Sequence, residues 1–281
     1  MVTGMRGPGL HEVDRGVYAW IGPEGRTNAA FITWDDGVLV VDSLYGPNLS
    51  PELITQIRSV SDRPVQYVID THEHFDHCFG NQYFEPAVFV GHENCRRHLV
   101  ERADFQRDFA MTFRQEHAEH FREVRIIPPV ITFKDTMTLY PGGRAVELHY
   151  LGRAHTAGDA VVWLPEEQVL IAGDIFVNGR SGFARDGYPR AWVAALTRLE
   201  QFPARAFVPG HGDIGSALEV AAFRTWMDGC VRELAAARAE GMSLERAQQE
   251  LNIGVPEGWP TPEGGMNLIA PFYREAEEVR V

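Results

Sequence analysis

The segment with the clearest chemical content is Asp70-Thr71-His72-Glu73-His74-Phe75-Asp76-His77, called here the histidine loop. It contains the pattern His-x-His-x-Asp-His and directly follows an apolar run from Val65 to Ile69, which predicts a buried strand. Imidazole and carboxylate ligands together suit zinc. Three histidines and one aspartate are too many for one closed structural site, so the spacing predicts two metals that share a loop. Two metals in turn indicate hydrolysis.

Three more residues of the same chemical types lie in glycine-containing segments next to apolar strands. His155 lies in Gly152-Arg153-Ala154-His155-Thr156-Ala157-Gly158-Asp159, Asp174 follows Ala172-Gly173, and His211 lies in Val208-Pro209-Gly210-His211-Gly212. Loops at strand ends are where rigid scaffolds place chemistry. We therefore expect these three side chains to join the histidine loop in one cleft. Asp159 is interpreted as structural.

The remaining histidines and the cysteines lack such a context. His117 and His120 have helical spacing among charged residues, which predicts a solvent-facing helix surface. An odd number of cysteines without a CxxC pair argues against a disulfide framework and favours buried, inert thiols. The histidines excluded as ligands are His11, His92, His98, His117, His120 and His149, and the cysteines are Cys78, Cys95 and Cys230.

Hydrophobic periodicity predicts strands in two batches, each interleaved with helices. Two mixed β-sheets packed face to face, with helices outside, is the α/β architecture that this order favours. The turn Asp35-Asp36-Gly37 predicts a hairpin, and the Pro- and Gly-rich stretch 254–265 predicts an irregular loop. The predicted strands are 17–20, 29–34, 38–42, 65–69, 87–90, 130–133, 137–139, 145–150, 160–164, 169–172 and 206–209; the predicted helices are 51–59, one beginning near 93, 104–125, 192–200, 217–239 and one capped by Ser243.

Length and charge narrow the choice of partners. The 281 residues predict a single domain, with a core from about 12 to 215 and a helical extension from about 216 to 281 that either covers a sheet or forms a homodimer interface. A net charge of −13 disfavours nucleic acid and anionic membranes, which leaves a small-molecule substrate. No apolar run is long enough to span a membrane, and residues 1–14 contain no signal-type apolar region, so we expect a cytoplasmic protein.

Taken in order, these motifs resemble the metallo-β-lactamase fold superfamily, in particular its glyoxalase II-like and lactonase-like hydrolases, over about Val17 to Gly215. The resemblance implies an αββα sandwich with metals at one edge. It further implies that Asp174 bridges two metals and that Asp42 orders the histidine loop. By the same resemblance, the first metal is bound by His72, His74 and His155, and the second by Asp76, His77 and His211.

The function predicted on this basis is that of a dinuclear zinc hydrolase, with iron or manganese left open as the metal. A metal-bridging hydroxide would attack an ester, lactone, thioester or lactam bond, with Asp76 as the catalytic residue that orients it and passes a proton to the leaving group. Glyoxalase II carries a Gly-His-Glu-Tyr-type segment where this chain has Gly210-His211-Gly212-Asp213, which disfavours glutathione thioesters. Lactamases proper usually lack the bridging aspartate, so ester or lactone is favoured.

Two alternatives stay open from the sequence. The first is a mononuclear iron sulfur (persulfide) dioxygenase on the same fold, and the second is a phosphodiesterase or promiscuous β-lactamase. The candidate substrate contacts are Arg180, which can grip a carboxylate, and Phe109 and Phe113. These two belong with Phe105 to an i, i+4 stripe within 104–125 that either packs in the core or forms a lid over the cleft.

Overall fold

The computed structural model describes residues 7–260 and 267–278. Its larger sheet has seven strands in sequential order, antiparallel from β1 to β4 and parallel from β4 to β7. The strands are β1 (Gly9–Asp14), β2 (Val17–Ile21), β3 (Ala29–Trp34), β4 (Gly37–Val41), β5 (Val65–Asp70), β6 (Val88–His92) and β7 (Ile131–Phe133).

The smaller sheet has the order β12-β11-β10-β9-β8, antiparallel except for the β11–β12 pair. Its strands are β8 (Thr136–Leu139), β9 (Val146–Tyr150), β10 (Ala160–Leu164), β11 (Val169–Val177) and β12 (Ala206–His211). The helices are α1 (Gly46–Val60), α2 (Phe75–Cys78), α3 (Glu93–Glu101), α4 (Ala103–Phe113), α5 (Ala118–Glu123), α6 (Pro189–Leu199), α7 (Ala217–Ala239), α8 (Leu244–Glu250) and α9 (Ile269–Glu278). Within the described ranges, no helix is long and apolar enough to cross a membrane.

Side-chain alternation along β4 shows how the sheets form a sandwich. Val38 and Val40 join the cluster that α1, α4 and α5 cover, whereas Leu39 and Val41 join the cluster between the sheets. Successive side chains of a strand point to opposite faces, so a fully apolar strand must be covered on both. A third cluster lies between the smaller sheet and helices α6, α7 and α9. The predicted architecture of two mixed sheets flanked by helices is therefore confirmed; the domain boundaries stay a prediction.

Two strands differ from the prediction, and one of them carries the candidate ligand Asp174. Strand β11 continues to Val177, so Asp174 lies inside a strand and not after its end. The register against β12 shifts on both sides of Gly173, whose φ of 51° is in the left-handed region. Such an irregularity re-aims the neighbouring side chain without ending the strand. Strand β1 was not predicted because its sequence is mostly polar and only Val13 within it is buried.

The single helix predicted over 104–125 is wrong. Helix α4 ends at Phe113, because Arg114 has non-helical angles of φ −125° and ψ 66°, and a turn at Gln115–His117 precedes α5. The solvent-facing surface predicted for His117 and His120 is also wrong: both are half-buried, with the ring of His120 stacked on Tyr83. Of the stretch 254–265, residues 254–260 are irregular and 261–266 lie outside the described residues.

We expect Leu148→Ala to lower the free energy of unfolding by about 2–5 kcal/mol, because Leu148 is fully buried between the sheets and its removal leaves a cavity. Leu218→Ala is the matched control, since Leu218 is 79% exposed and its truncation should change stability by less than about 0.5 kcal/mol. Urea denaturation monitored by circular dichroism measures both. Equal midpoints for the two variants would contradict the inter-sheet packing.

Candidate metal centre

The histidine loop is held in place by Asp42, which follows β4. One carboxylate oxygen of Asp42 accepts the backbone N–H of Thr71 at 2.8 Å, and the other accepts the Thr71 hydroxyl at 2.8 Å and lies 2.7 Å from Nδ1 of His77. Asp42 adopts a φ of 63°, which is unusual for a residue other than glycine and requires such support. The buried Asp42 thus orients the loop and the ring of His77 together.

The predicted ligands come together in two groups. One ligand atom each from His72, His74 and His155 lies within 4.8 Å of the others, and the same holds for Asp76, His77 and His211. Nε2 of His155 is 2.8 Å from Nδ1 of His74, and Nε2 of His211 is 3.4 Å from Oδ2 of Asp76. The first group is buried and the second is partly exposed, but His74 and His155 of the first group line the same cavity as Asp76 and His211 of the second.

Asp174 lies between the two groups. One of its carboxylate oxygens is 3.3 Å from Nε2 of His77, and the other is 3.2 Å from Nε2 of His155 and 3.5 Å from Nε2 of His211. A single carboxylate therefore touches members of both groups. That Asp174 bridges two metals stays a prediction.

Several buried polar atoms in the cluster lack good hydrogen bonds and are positioned to bind a cation. Nε2 of His72 is buried and has no hydrogen-bond partner among the described residues. Nε2 of His77 and Oδ1 of Asp174 are buried and lie 3.3 Å apart, but neither makes a well-aligned hydrogen bond with a described group. Buried polar atoms without partners cost free energy and are rare in native proteins. Nitrogen and oxygen donors that converge in this way form a His/Asp metal-binding cluster, and the donor set suits a transition-metal ion.

Burial favours the neutral, ligating form of two histidines, whereas at His74, His77 and His211 neighbouring carboxylates outweigh burial and raise the pKa values. Burial lowers the pKa of His72 well below its usual value and that of His155 to about 3, so both rings are neutral, as metal ligands must be. Burial acts to lower the pKa of His211 too, but the carboxylates of Asp174 and Asp76 together outweigh it and raise that pKa to about 9. The same carboxylates that hold a proton on His211 would stabilise a cation in its place.

A cavity of about 580 Å³ opens onto this cluster. Phe109, Phe113 and Arg180, the predicted substrate contacts, all line it. Arg180 is half-buried and donates to the backbone oxygen of Gly25, an oxygen that also lies 3.2 Å from Nδ1 of His211. Helix α9 contributes Ala270, Pro271 and Arg274 to the wall, so the C-terminal extension takes part in the cavity.

Comparison with known proteins assigns the family. The sequence model described as "Metallo-beta-lactamase superfamily" matches residues 22–211, which is more than half of the chain. The chain belongs to the metallo-β-lactamase superfamily. A metallo-beta-lactamase type 2 of Bacillus cereus is 27% identical over 194 residues, which cover 67% of this chain and 68% of the relative.

Solved structures show that this superfamily member has the expected fold. A metallo-beta-lactamase from Pontibacter korlensis superposes with a TM-score of 0.65 at 21% identity, covering 78% of this chain and 98% of that one. The stereoselective inverting sec-alkylsulfatase Pisa1 from Pseudomonas sp. superposes with a TM-score of 0.73 at 16% identity, covering 89% of this chain and 46% of that one. At these identities the likeness concerns the fold alone.

Asp186, a residue that contacts and orients the candidate ligand His74, was not predicted from the sequence. Its Oδ2 lies 3.1 Å from Nε2 of His74, and its carboxylate is held by Arg102 at 3.0 Å and by Arg185 at 2.9 Å. Asp186 follows no predicted strand and is 112 residues from His74, so no local pattern marks it. Asp159 accepts the backbone N–H and the hydroxyl of Thr156, which is the structural role expected for it.

We expect Asp186→Ala to weaken metal binding by the first group about 10- to 100-fold, the usual cost of removing a carboxylate behind a ligating histidine. Without Asp186 the ring of His74 loses the contact that turns Nδ1 towards His72 and His155. Competition with a chromogenic chelator measures the affinity. Asp104→Ala is the control, since the side chain of Asp104 is 93% exposed on α4. Identical affinity in both variants would contradict this role of Asp186.

Proposed function

We propose that this superfamily member is a dinuclear zinc hydrolase that cleaves an ester or lactone bond. The observation that supports two metals is the position of Asp174, whose carboxylate contacts His155 on one side and His77 on the other. A mononuclear iron dioxygenase would bind its metal at one group and leave the second group, Asp76, His77 and His211, without a ligand to bind. Nε2 of His77 in that group is buried and makes no well-aligned hydrogen bond with a described residue. Metal-dependent hydrolysis is the chemistry that uses both groups.

In this proposal His72, His74 and His155 hold the first zinc, Asp76, His77 and His211 hold the second, and Asp174 bridges them. Zinc, when bound, supplies a coordinated water of pKa about 7 and a Lewis acid for the carbonyl oxygen. Asp42, Thr71 and Asp186 orient the rings through the contacts described above.

Asp76 is the residue proposed to move the proton. It lines the cavity, and its Oδ2 accepts a hydrogen bond of 2.6 Å from the hydroxyl of Thr27, which fixes the carboxylate plane. Burial acts to raise the pKa of Asp76, but positive charge at His77 and His211 holds it well below the usual range, and a zinc ion bound there would act in the same direction. As a carboxylate, Asp76 would accept the proton of the attacking water and return it to the leaving oxygen.

The choice of an ester or lactone substrate rests on two sequence features that differ from those of related enzymes with other substrates. The Gly210-His211-Gly212-Asp213 segment disfavours the glutathione thioesters of glyoxalase II, and Asp174 stands where dedicated lactamases usually lack an aspartate. A cavity of about 580 Å³ suits a small molecule. The net charge of −13 supports a small-molecule partner over nucleic acid or an anionic membrane.

Hydrolysis of a β-lactam is the second candidate. It is favoured by the relatives, since curated proteins that are 25–27% identical over about two-thirds of this chain are metallo-beta-lactamases type 2. Lactams and lactones present the same carbonyl electrophile and differ in the atom that leaves. A single substrate panel therefore tests both candidates.

The purified protein should contain two zinc ions per chain and should hydrolyse lactones or aryl esters faster than a cephalosporin, a thioester or a phosphodiester. Elemental analysis and a chromogenic panel on the same preparation measure both. One iron per chain with consumption of oxygen would favour the dioxygenase, and faster turnover of the cephalosporin would favour the lactamase.

His72→Ala should remove zinc from the first group and lower hydrolysis at least about 100-fold, the scale on which loss of one electrostatic stabiliser of the transition state acts. His149→Ala is the control, because His149 lies on β9, pairs with Glu147 and is not among the residues that line the cavity. Full zinc content and full activity in His72→Ala would refute the ligand assignment.

A further inference from the structure

Four phenylalanine rings form one wall of the cavity and are called here the phenylalanine wall: Phe75, Phe109, Phe113 and Phe183. Phe109 and Phe113 stack at 5.6 Å between ring centroids, and Phe183 meets Phe113 edge-to-face at 5.0 Å. Rings that hold one another in this way present a preformed apolar surface. This wall suits an apolar or aromatic body of a ligand.

Five arginines line the same cavity, and three of them, which come from three separate segments and have no described carboxylate partner, are called here the arginine group. Arg26 comes from the β2–β3 connection, Arg114 from the end of α4, and Arg180 from the loop after β11. None of them forms an ion pair with a described carboxylate. By contrast, Arg185, which also lines the cavity, pairs with Asp186, as does Arg102. The fifth lining arginine, Arg274, donates to the backbone oxygens of Arg185 and Gly187.

The contacts that hold the arginine group leave its positive charge uncompensated. Arg114 lies over the ring of Phe113 at 4.9 Å, and Arg180 donates to the backbone of Gly25. The only carboxylates among the described residues that line the cavity are Asp76 and Asp174, and both belong to the metal-binding cluster. Metal ions would neutralise those two charges and leave the arginines without a counterion.

The arginines also lie close enough to affect one another and their neighbours. Burial lowers the pKa of Arg180; the Asp174 carboxylate opposes this shift, and the positive charge of Arg114 adds to it. Burial raises the pKa of Tyr45, which lines the cavity, while Arg114 and Arg26 oppose that rise. Like charges gathered in a half-buried cavity repel one another. A negatively charged ligand would relieve this repulsion.

We propose that the arginine group recognises an anionic group on the part of the substrate that is not cleaved, while the phenylalanine wall receives its apolar body. The guanidinium fork matches the oxygens of a carboxylate or a phosphate, and such charge-assisted bonds are about twice as strong as neutral ones. This proposal rests on the proposed function. It narrows the ester or lactone class to substrates that carry a second, negatively charged group.

Binding without turnover is the first test. The ligands are 4-phenylbutyrate, its neutral amide and 3-phenylpropyl phosphate, titrated calorimetrically into zinc-loaded protein. We expect the anions to bind at least about tenfold more tightly than the amide, and the Arg26→Gln/Arg114→Gln double variant to lose most of that difference. The stronger of the two anions identifies carboxylate or phosphate as the preferred group. Arg97→Gln is the matched control, since Arg97 is exposed on α3 outside the cavity and should leave all affinities unchanged.

Turnover is the second test and uses mono-4-nitrophenyl adipate and its methyl ester, which differ only in the remote charge. The wild-type protein should have a KM for the acid that is at least about tenfold lower, and the double variant should lose that ratio. Anion binding that persists unchanged in the double variant would place the anion on the metals and overturn the proposal. Arginine-dependent binding with no hydrolysis of either ester would support anion recognition and contradict the ester hydrolase.

Discussion

The burial of Asp174 between histidine nitrogens is the interaction on which the rest of the site depends. A carboxylate and several imidazoles in a nearly water-free place are unfavourable unless a positive charge compensates them. Their free atoms converge on common points and are not spread over separate hydrogen bonds. The fold supplies a place where metal ions and this ligand set stabilise each other.

The two-sheet sandwich positions these side chains at the ends and irregularities of its strands. Asp42 and the histidine loop follow two neighbouring parallel strands of the larger sheet, β4 and β5, and His211 ends β12 of the smaller one. The irregularity at Gly173 turns Asp174 towards them from within β11. The three apolar clusters pack against both sheets and thereby fix the strands that carry the ligands.

The candidate metal ligands and the proposed substrate contacts come largely from different parts of the molecule. The ligands lie on or beside the strands of the superfamily core, whereas the arginine group and the phenylalanine wall, apart from Phe75 of the histidine loop, draw on α4, the β2–β3 connection and the loop after β11. Helix α9 closes a further side of the cavity. This division explains why one fold supports many substrates: loops and insertions change the pocket while the core keeps the metals.

The sequence by itself determined the family, the two-sheet architecture and the residues that meet at the cluster. It could do so because apolar periodicity and the spacing His-x-His-x-Asp-His are patterns within short segments, which the sequence shows directly. Only the tertiary structure decided that Asp186 supports His74, that Arg114 interrupts a helix to enter the cavity, and that α9 joins its wall. Those contacts join residues far apart in the chain, and no local spacing encodes the approach of two distant segments.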